Sequence, residues 1–459
     1  MLNEAVVKKL KGILGAENVL TDKVSLISYG YDGTLLEQLP LGIVFPKHTQ
    51  QVVELVKYLN EVKIPLVPRG AGTNLSGGSL PVKESIVICT SRMKRVLEID
   101  KDNFVAVVEP GVVNFDLQET LDKMGFYYPP DPASYKASTM GGNVGECSGG
   151  PRCFKYGVTR DYIMGLEVVL PSGKIIETGG RNWKSESGYD LTRLLVGSEG
   201  TLGIITKIIV RILPKPQAKR TMLAIYEKVE DASQTVSAIV AAGIIPTTLE
   251  MMDNLLINTA EDHTKAGLPR DAGALLIVEV DGYDVDLDAQ VKVIGEICQK
   301  AGVREFKIAR TAKEVDQIWL ARRTVIGSVA RRRPSYSLQD ITVPRSNFPR
   351  MVDGIVNTSK KYNLEIGILA HAGDGNFHPL VLFDKRNEDE VHRVHEAEVE
   401  MVRIALELKG TMSGEHGIGI LKKEYLGLEF EPTVLEAFKK VKRSYDPNNF
   451  LNPGKIINL

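Results

Sequence analysis

The chain has 459 residues, 43% of them apolar and 25% charged, with a formal net charge of −1. That length divides into two or three domains, and the near-neutral balance argues against a nucleic-acid or anionic-membrane surface. No apolar run reaches the roughly 18–20 residues of a membrane span. The N-terminus, Met1–Leu10, reads as an amphipathic helix without the apolar stretch of a signal peptide, so a cytoplasmic location is expected. The cysteines Cys89, Cys147, Cys153 and Cys298 form no Cys-x-x-Cys pair. An iron–sulfur cluster carried by this chain is therefore not expected, and free thiols suit a reducing compartment.

In chain order, residues 1–40 read as helical and then irregular. Gly42–Pro46 is a short strand, Thr49–Asn60 a helix by its apolar spacing, and Ile64–Pro68 a strand. The first glycine-rich stretch, Arg69–Gly78, follows. Ser85–Cys89 and Phe104–Val108 read as strands, Phe115–Met124 as a helix, and Thr139–Pro151 as a second glycine-rich loop. Leu166–Leu170 and Lys174–Thr178 flank Pro171-Ser-Gly173 as a hairpin. Past Pro214-Lys-Pro216 the texture changes to longer helices alternating with strands, including the strand Ala272–Val280 and the helices Val285–Ala301 and Val315–Arg333. This pattern gives domains at 1–215 and 216–410, with a tail at 411–459 that carries a helix at Pro432–Ser444.

Three of the seven histidines fall in two short segments, His371-Ala-Gly-Asp-Gly-Asn-Phe-His378 and Gly414-Glu-His-Gly-Ile-Gly419. Apolar runs on both sides of Gly-Asp-Gly-Asn predict a β-hairpin turning at Asp374-Gly375. In that register His371 lies directly opposite His378, with Cβ atoms about 5 Å apart. Two such imidazoles can share a cation, and Glu415 would add a carboxylate while leaving positions open, as in a catalytic metal site. The remaining histidines, His48, His263, His392 and His395, read as structural or solvated.

The glycine clusters let backbone N–H groups approach a phosphate. A Rossmann fingerprint is excluded, because Gly70-x-Gly72 has Leu75 at the sixth position and no helix opening follows. Several glycine-rich loops spread over about 140 residues fit a large extended ligand instead. Pro68-Arg-Gly-Ala-Gly-Thr-Asn-Leu-Ser-Gly-Gly78, Pro110-Gly-Val112, Asp131-Pro-Ala-Ser134, Met140-Gly-Gly-Asn143 and Gly197-Ser-Glu-Gly-Thr-Leu-Gly203 resemble the FAD-binding signatures of the vanillyl-alcohol oxidase / p-cresol methylhydroxylase (PCMH-type) superfamily. The two histidine segments and Asn452-Pro-Gly-Lys455 resemble its FAD-dependent D-2-hydroxyacid dehydrogenase branch, which holds the glycolate oxidase D subunit and D-lactate dehydrogenases.

The resemblance implies an α+β fold. A PCMH-type FAD-binding domain of two α+β subdomains would be followed by an α+β cap with an antiparallel sheet, and the tail would return to the FAD domain. It implies a cofactor site formed by Pro68, Arg69, Gly70, Ala71, Gly72, Thr73, Asn74, Ser76 and Gly77, with the pyrophosphate on the loop Arg69–Ser76. Pro110, Gly111, Asp131, Pro132, Ser134, Thr139, Gly142, Asn143, Ser148, Gly149, Tyr156, Glu199 and Gly203 would line the rest of the cleft. Ile204 and Ile205 would flank the adenine, and Asn452 would sit near the isoalloxazine. FAD is expected to be non-covalent, since His48 is the one histidine in the first 250 residues and lies outside the glycine loops.

The same resemblance makes His416 the base and His371, His378 and Glu415 the ligands of one divalent metal, zinc, iron or manganese. Side chains on adjacent residues usually diverge, so Glu415 is expected to face metal and His416 substrate. Arg322, by its Trp319-Leu-Ala-Arg322 context, matches the family's carboxylate-binding arginine, whereas Arg331–Arg333 read as a solvated face. The expected chemistry is oxidation of a small D-2-hydroxyacid, first of all D-lactate to pyruvate. His416 would take the hydroxyl proton, the metal would act as Lewis acid, and flavin N5 would accept the hydride. Glycolate or D-2-hydroxyglutarate are the alternatives. Tyr336-Ser-Leu-Gln-Asp340 lacks the lysine of the hydroxyglutarate enzymes, which argues for a monocarboxylate. Electrons would pass to a partner, an electron-transfer flavoprotein or an iron–sulfur subunit, and self-association is left open. Competing readings are a non-catalytic flavin-binding subunit and a sugar-alcohol or lactone oxidase. The intact Glu415-His416 pair and the paired histidines weigh against these.

Overall fold

The computed structural model describes residues 2–34 and 36–459; Met1 of the predicted N-terminal helix lies outside them. The chain divides into two compact units. The first takes residues up to Gly149, Gly157–Lys215 and Glu415–Leu459, and the second takes Gly150–Tyr156 and Pro216–Gly414. The class is α+β.

The first unit contains two main sheets. One orders Val19–Leu20, Gly42–Val44, Ile86–Cys89 and Leu66–Arg69, the last three mutually parallel. Parallel neighbours need a crossover, and the helix Thr49–Glu61 supplies it. Its Val52, Val53, Leu55, Val56 and Leu59 are buried, as their spacing predicts. His48 caps this helix, with Nδ1 accepting from the Gln51 N–H at 3.4 Å, so its role is structural. The other sheet is antiparallel, in the order Val96–Asp100, Val105–Val108, Ile204–Arg211, Ile163–Val169, Ile175–Gly179. The predicted turn at Pro171–Gly173 closes its last hairpin. Val96–Asp100 has no sequence signal, because it is a partly exposed edge strand without a buried face.

The second glycine-rich stretch is not all loop, since Met140–Glu146 is helical. Glycine disfavours helix, but Thr139 caps it by accepting from Gly142 N–H. A side chain at Gly141 would meet Pro110 Cβ at 2.5 Å, so this helix exists where only a bare backbone can pack. The tail joins the same core. Phe450 and Leu451 pack with Leu10, Val52 and Leu66, and Leu66 donates its N–H to the Phe450 carbonyl and accepts from the Asn452 N–H.

The second unit is built on an eight-stranded sheet. The main path runs Glu305–Ile308, Ala218–Tyr226, Ala274–Gly282, Thr248–Asp253, Glu365–His371, Asn376–Phe383, Ser335–Leu338, with Ile341–Thr342 also paired to Asn376–Phe383. All of its pairings are antiparallel. Every residue of Asn376–Phe383 is buried, so both faces are covered. The helices Asn254–Thr264 and Ala312–Val329 cover one face. Leu256, Ile257 and Ala260 meet Ala321, Val325 and Val329 over Met252, Leu369, Leu380 and Leu382. The predicted helix Val315–Arg333 ends earlier than expected, which leaves Arg331–Arg333 in the turn beyond it.

Candidate active site

In the first unit the end of the strand Leu66–Arg69 carries Pro68 and Arg69, and the loop after it carries Gly70, Ala71, Gly72, Thr73, Asn74, Ser76 and Gly77. Arg69 folds back over Gly72, donates to the Tyr31 carbonyl at 2.7 Å and lies 5.5 Å from the Tyr29 ring centre. Burial lowers its pKa. Asn74 donates to Asp32 at 2.9 Å, which ties down the far side of the loop. Thr139 lies against Gly70, whose bare Cα leaves room for its hydroxyl. Pro110 and Gly111 pack on Gly141 and on the Thr90 and Met93 carbonyls. Asp131, Pro132 and Ser134 lie in the turns before Thr139, where the Pro132 and Ser134 carbonyls accept from Tyr135, Ala137 and Ser138. Asn143 donates to Asn114, and the Ser148 carbonyl, next to Gly149, accepts from Thr159. Gly203 packs on Val168. Ile204 lies in the apolar core, while Ile205, one residue on, is only partly buried. Tyr156 belongs to the second unit, where its hydroxyl donates to Asp281 at 3.0 Å.

Several features of this unit fit FAD. A side chain at Gly142 would meet only the Thr139 hydroxyl, at 3.3 Å, and one at Gly145 would meet nothing within 4 Å, so one helix face is open. The buried Ser76 Oγ and Asn452 Oδ1 have no hydrogen-bond partner among the described residues. Asn452 Nδ2 already donates to the Gly78 and Glu199 carbonyls, at 2.8 and 2.7 Å, so its oxygen is held in place for an external donor.

The tail is anchored at the same place. Glu199 accepts from the Ile418 N–H at 2.7 Å and from the Gly419 N–H at 2.9 Å, and the Ser76 carbonyl accepts from Ile420 at 2.9 Å. Gly417 and Gly419 take positive φ, +78° and +51°, as this reversal requires. Glu146 lies against the same Gly417 and Gly78. Burial pushes Glu146 well above the carboxylate range, and the charge of Glu199 adds to the effect. Burial raises Glu199 too, opposed by its two backbone donors. We therefore place the proton of the pair on Glu146 and the charge on Glu199. Lys455, with burial pushing it down to about 8, donates to the Gly77 and Leu80 carbonyls. Glu415 and His416 open this returning segment. Their side chains approach to 3.8 Å, so they face one another and do not diverge.

In the second unit the hairpin forms, but not in the predicted register. His371 pairs with Asn376 and His378 with Leu369, around the loop 372–375. The shift from the expected pairing is two residues, so both histidines keep the same face. They become diagonal neighbours, and their rings meet edge to face with centres 5.0 Å apart. Gly375, at φ +81°, packs on the Val343 carbonyl, where a side chain could not fit.

Each imidazole is oriented through Nδ1. His371 Nδ1 lies 2.6 Å from Glu250 Oε1, and His378 Nδ1 lies 3.4 Å from the Gln339 carbonyl. Both partners only accept, so both Nδ1 atoms carry hydrogen. This is the arrangement a metal-binding histidine requires. Glu250 is the cross-strand partner of His371, and its other oxygen accepts from Arg322 Nε at 2.6 Å. Burial works to raise the Glu250 pKa, but the charge of Arg322, and then that of His371, hold it below the ordinary value. Asp340 accepts from Asn376, from Ser413 and from the Gly414 N–H, at 2.8, 2.9 and 2.9 Å. It thereby fixes the residue that precedes Glu415. Of the arginines at 322, 323 and 331–333, Arg322 is the buried one.

Glu250 was missed from sequence. Its signal was a lone carboxylate in an apolar strand, Thr248-Leu-Glu-Met-Met-Asp253, but nothing local links it to His371, 121 residues on.

Comparison with known proteins follows this division. Residues 40–179 match the family described as FAD binding domain, and residues 215–456 match FAD linked oxidases, C-terminal domain. The glycolate oxidase subunit GlcD of Bacillus subtilis is 44% identical over 457 residues, covering 99% of this chain and 97% of its own. The subunit of the same name from Escherichia coli K12 is 39% identical, covering 96% of this chain and 89% of its own. A D-lactate dehydrogenase of Anaerostipes hadrus is 33% identical, covering 91% and 89%. Among solved structures, p-cresol methylhydroxylase with substrate bound superposes with TM-score 0.81 at 20% identity, covering 99% of this chain and 97% of its own, which shows the shared fold. The chain belongs to the FAD-linked oxidases, in the branch that holds glycolate oxidase subunits and D-lactate dehydrogenases.

Proposed function

We propose that the protein oxidises a small monocarboxylate 2-hydroxyacid, D-lactate or glycolate, with the help of a divalent cation. The observation that carries this reading is the pair His371 and His378, both buried, both oriented through Nδ1, and grouped with Glu415 so that one ligand atom of each lies within 4.8 Å of the others. FAD, when bound, supplies the hydride acceptor. It would be held non-covalently by the loop Pro68–Gly77, the open face at Gly142 and Gly145, and the Asn452 oxygen.

The chain's own residues then have distinct tasks. His371, His378 and Glu415, which directly follows the anchored Gly414, would hold zinc, iron or manganese. A cation held there would lower the pKa of the substrate hydroxyl. His416 would remove that proton, and imidazole suits the task near neutral pH. Arg322 would bind the substrate carboxylate through its Nη groups. Gln339, and not a lysine, stands just before Asp340, which supports a monocarboxylate over a dicarboxylate.

Glycolate stands level with D-lactate, because the relatives at 44% and 39% identity are named glycolate oxidase subunits. Those relatives are named as subunits, which supports a partner chain for this protein, and we take that partner to be the electron acceptor, an electron-transfer flavoprotein or an iron–sulfur subunit. Among the described residues no helix is long and apolar enough to cross a membrane. Among the described residues the four cysteines form no disulfide. The test is to mix FAD-loaded protein anaerobically with D-lactate, L-lactate, glycolate and D-2-hydroxyglutarate in turn, and to follow the flavin band at roughly 450 nm. Bleaching by D-lactate or glycolate is expected. Bleaching only by D-2-hydroxyglutarate, or by none of the four, would overturn the proposal.

A further inference from the structure

Glu250 stands where two parts of the proposed site meet. Thr248–Asp253 pairs with Glu365–His371, so Glu250 and His371 are directly opposed and share a face. The helix Ala312–Val329 packs on that face and brings Arg322 to the other carboxylate oxygen. Both contacts measure 2.6 Å, and Glu250 is 1% exposed. An arginine that merely neutralised a buried carboxylate would offer its fork to both oxygens. Arg322 gives Nε to one oxygen only, and among the described residues its two Nη nitrogens make no hydrogen bond within the protein. The second oxygen goes to the imidazole. One carboxylate is thus divided between two groups, one oxygen to each.

We propose that Glu250 is a positioning residue shared by cation and substrate. It fixes the His371 tautomer so that Nε2 faces a divalent ion, and it aims the Arg322 Nη groups at the hydroxyacid carboxylate. The inference rests on the reading of His371 as a metal ligand and Arg322 as the carboxylate partner. Glu250 touches neither ligand itself. Its consequence is that cation affinity and substrate affinity fall together when this one side chain changes, while the first unit's FAD loop does not.

The test is Glu250→Gln in FAD-loaded protein. Glutamine is isosteric but offers one acceptor oxygen, so either His371 or Arg322 faces an amide donor. Zn²⁺ affinity is read by competition with a chromogenic chelator, and KM and kcat are read for the hydroxyacid that bleaches the wild-type flavin. Zn²⁺ affinity is expected to drop roughly 10–100-fold, the usual effect of losing such an outer partner. KM is expected to rise with it at unchanged FAD content. Glu250→Asp keeps the charge and both acceptors on a shorter stem, so it should fall between the two. A residue that only supported the fold would lower thermal stability and FAD content, but leave Zn²⁺ affinity and KM of the loaded protein as they are. Wild-type Zn²⁺ affinity in loaded Glu250→Gln, or a change in one constant without the other, would overturn the inference. Should Glu250→Gln fail to load FAD, Glu250→Asp decides, and wild-type values for both constants would overturn it. A wild-type protein that binds no Zn²⁺ and needs no metal would instead sink the underlying metal reading.

Discussion

Glu199→Gln tests how the returning tail is held in place. Its carboxylate accepts from Ile418 and Gly419, two and three residues beyond His416, while glycines at 417 and 419 make the turn. In glutamine the retained oxygen keeps Ile418 and the longer, 3.1 Å contact from Gly419, while the amide nitrogen takes the place of the oxygen that accepts from Gly419 at 2.9 Å. One hydrogen bond to a charged group is lost, about 1.5–3 kcal/mol. If that energy serves to aim His416, flavin reduction slows by about 10- to 150-fold. The assay is anaerobic stopped-flow reduction at saturating hydroxyacid, with FAD content checked from the visible spectrum. Reduction at the wild-type rate with full FAD would show that Glu199 does not aim His416. Loss of FAD with normal reduction in the remaining holoenzyme would show the same, and would place Glu199 in cofactor retention alone.

Other outcomes follow from the same geometry. His416→Ala should bind FAD normally, with a full visible spectrum, and lose flavin reduction by about 100-fold or more, the usual share of a positioned base; normal reduction would remove His416 from that role. Glu146 holds a proton in the folded protein that the unfolded chain releases near the ordinary carboxylate value. It therefore contributes stability below that value, and the contribution is lost as pH rises toward its raised pKa. Glu146→Gln mimics the protonated form, so its Tm relative to wild type should climb from pH 5 to 9 (values of roughly this span bracket the titration). Parallel Tm curves would contradict the proton assignment.

Much of the fold was legible because period and punctuation agree. Val52, Val53, Leu55, Val56 and Leu59 mark a helix face, and Pro171-Ser-Gly173 marks a turn, so local chemistry decided both. The helix Met140–Glu146 was hidden because its glycines are set by packing on Pro110, a tertiary demand that overrides propensity. The hairpin register was misread because Asp374-Gly375 marks a turn without fixing which residues close it. The closing pair is set by Gly375 lying on Val343, a contact from outside the hairpin. The histidines were visible as rare residues in motifs, whereas Glu250 and Asp340, which orient them or their neighbours, acquire meaning only through cross-strand pairing.

A divalent cation on the histidine hairpin would support oxidation of the hydroxyacid. The decisive experiment strips the FAD-loaded protein with a chelator and follows anaerobic flavin bleaching by D-lactate and glycolate before and after adding back Zn²⁺ or Mn²⁺, beside the double variant His371→Ala/His378→Ala. Bleaching is expected to be lost on stripping, to return with metal in the wild type, and not to return in the double variant. Full-rate bleaching by metal-free wild type, or by the double variant, would contradict this role of the cation.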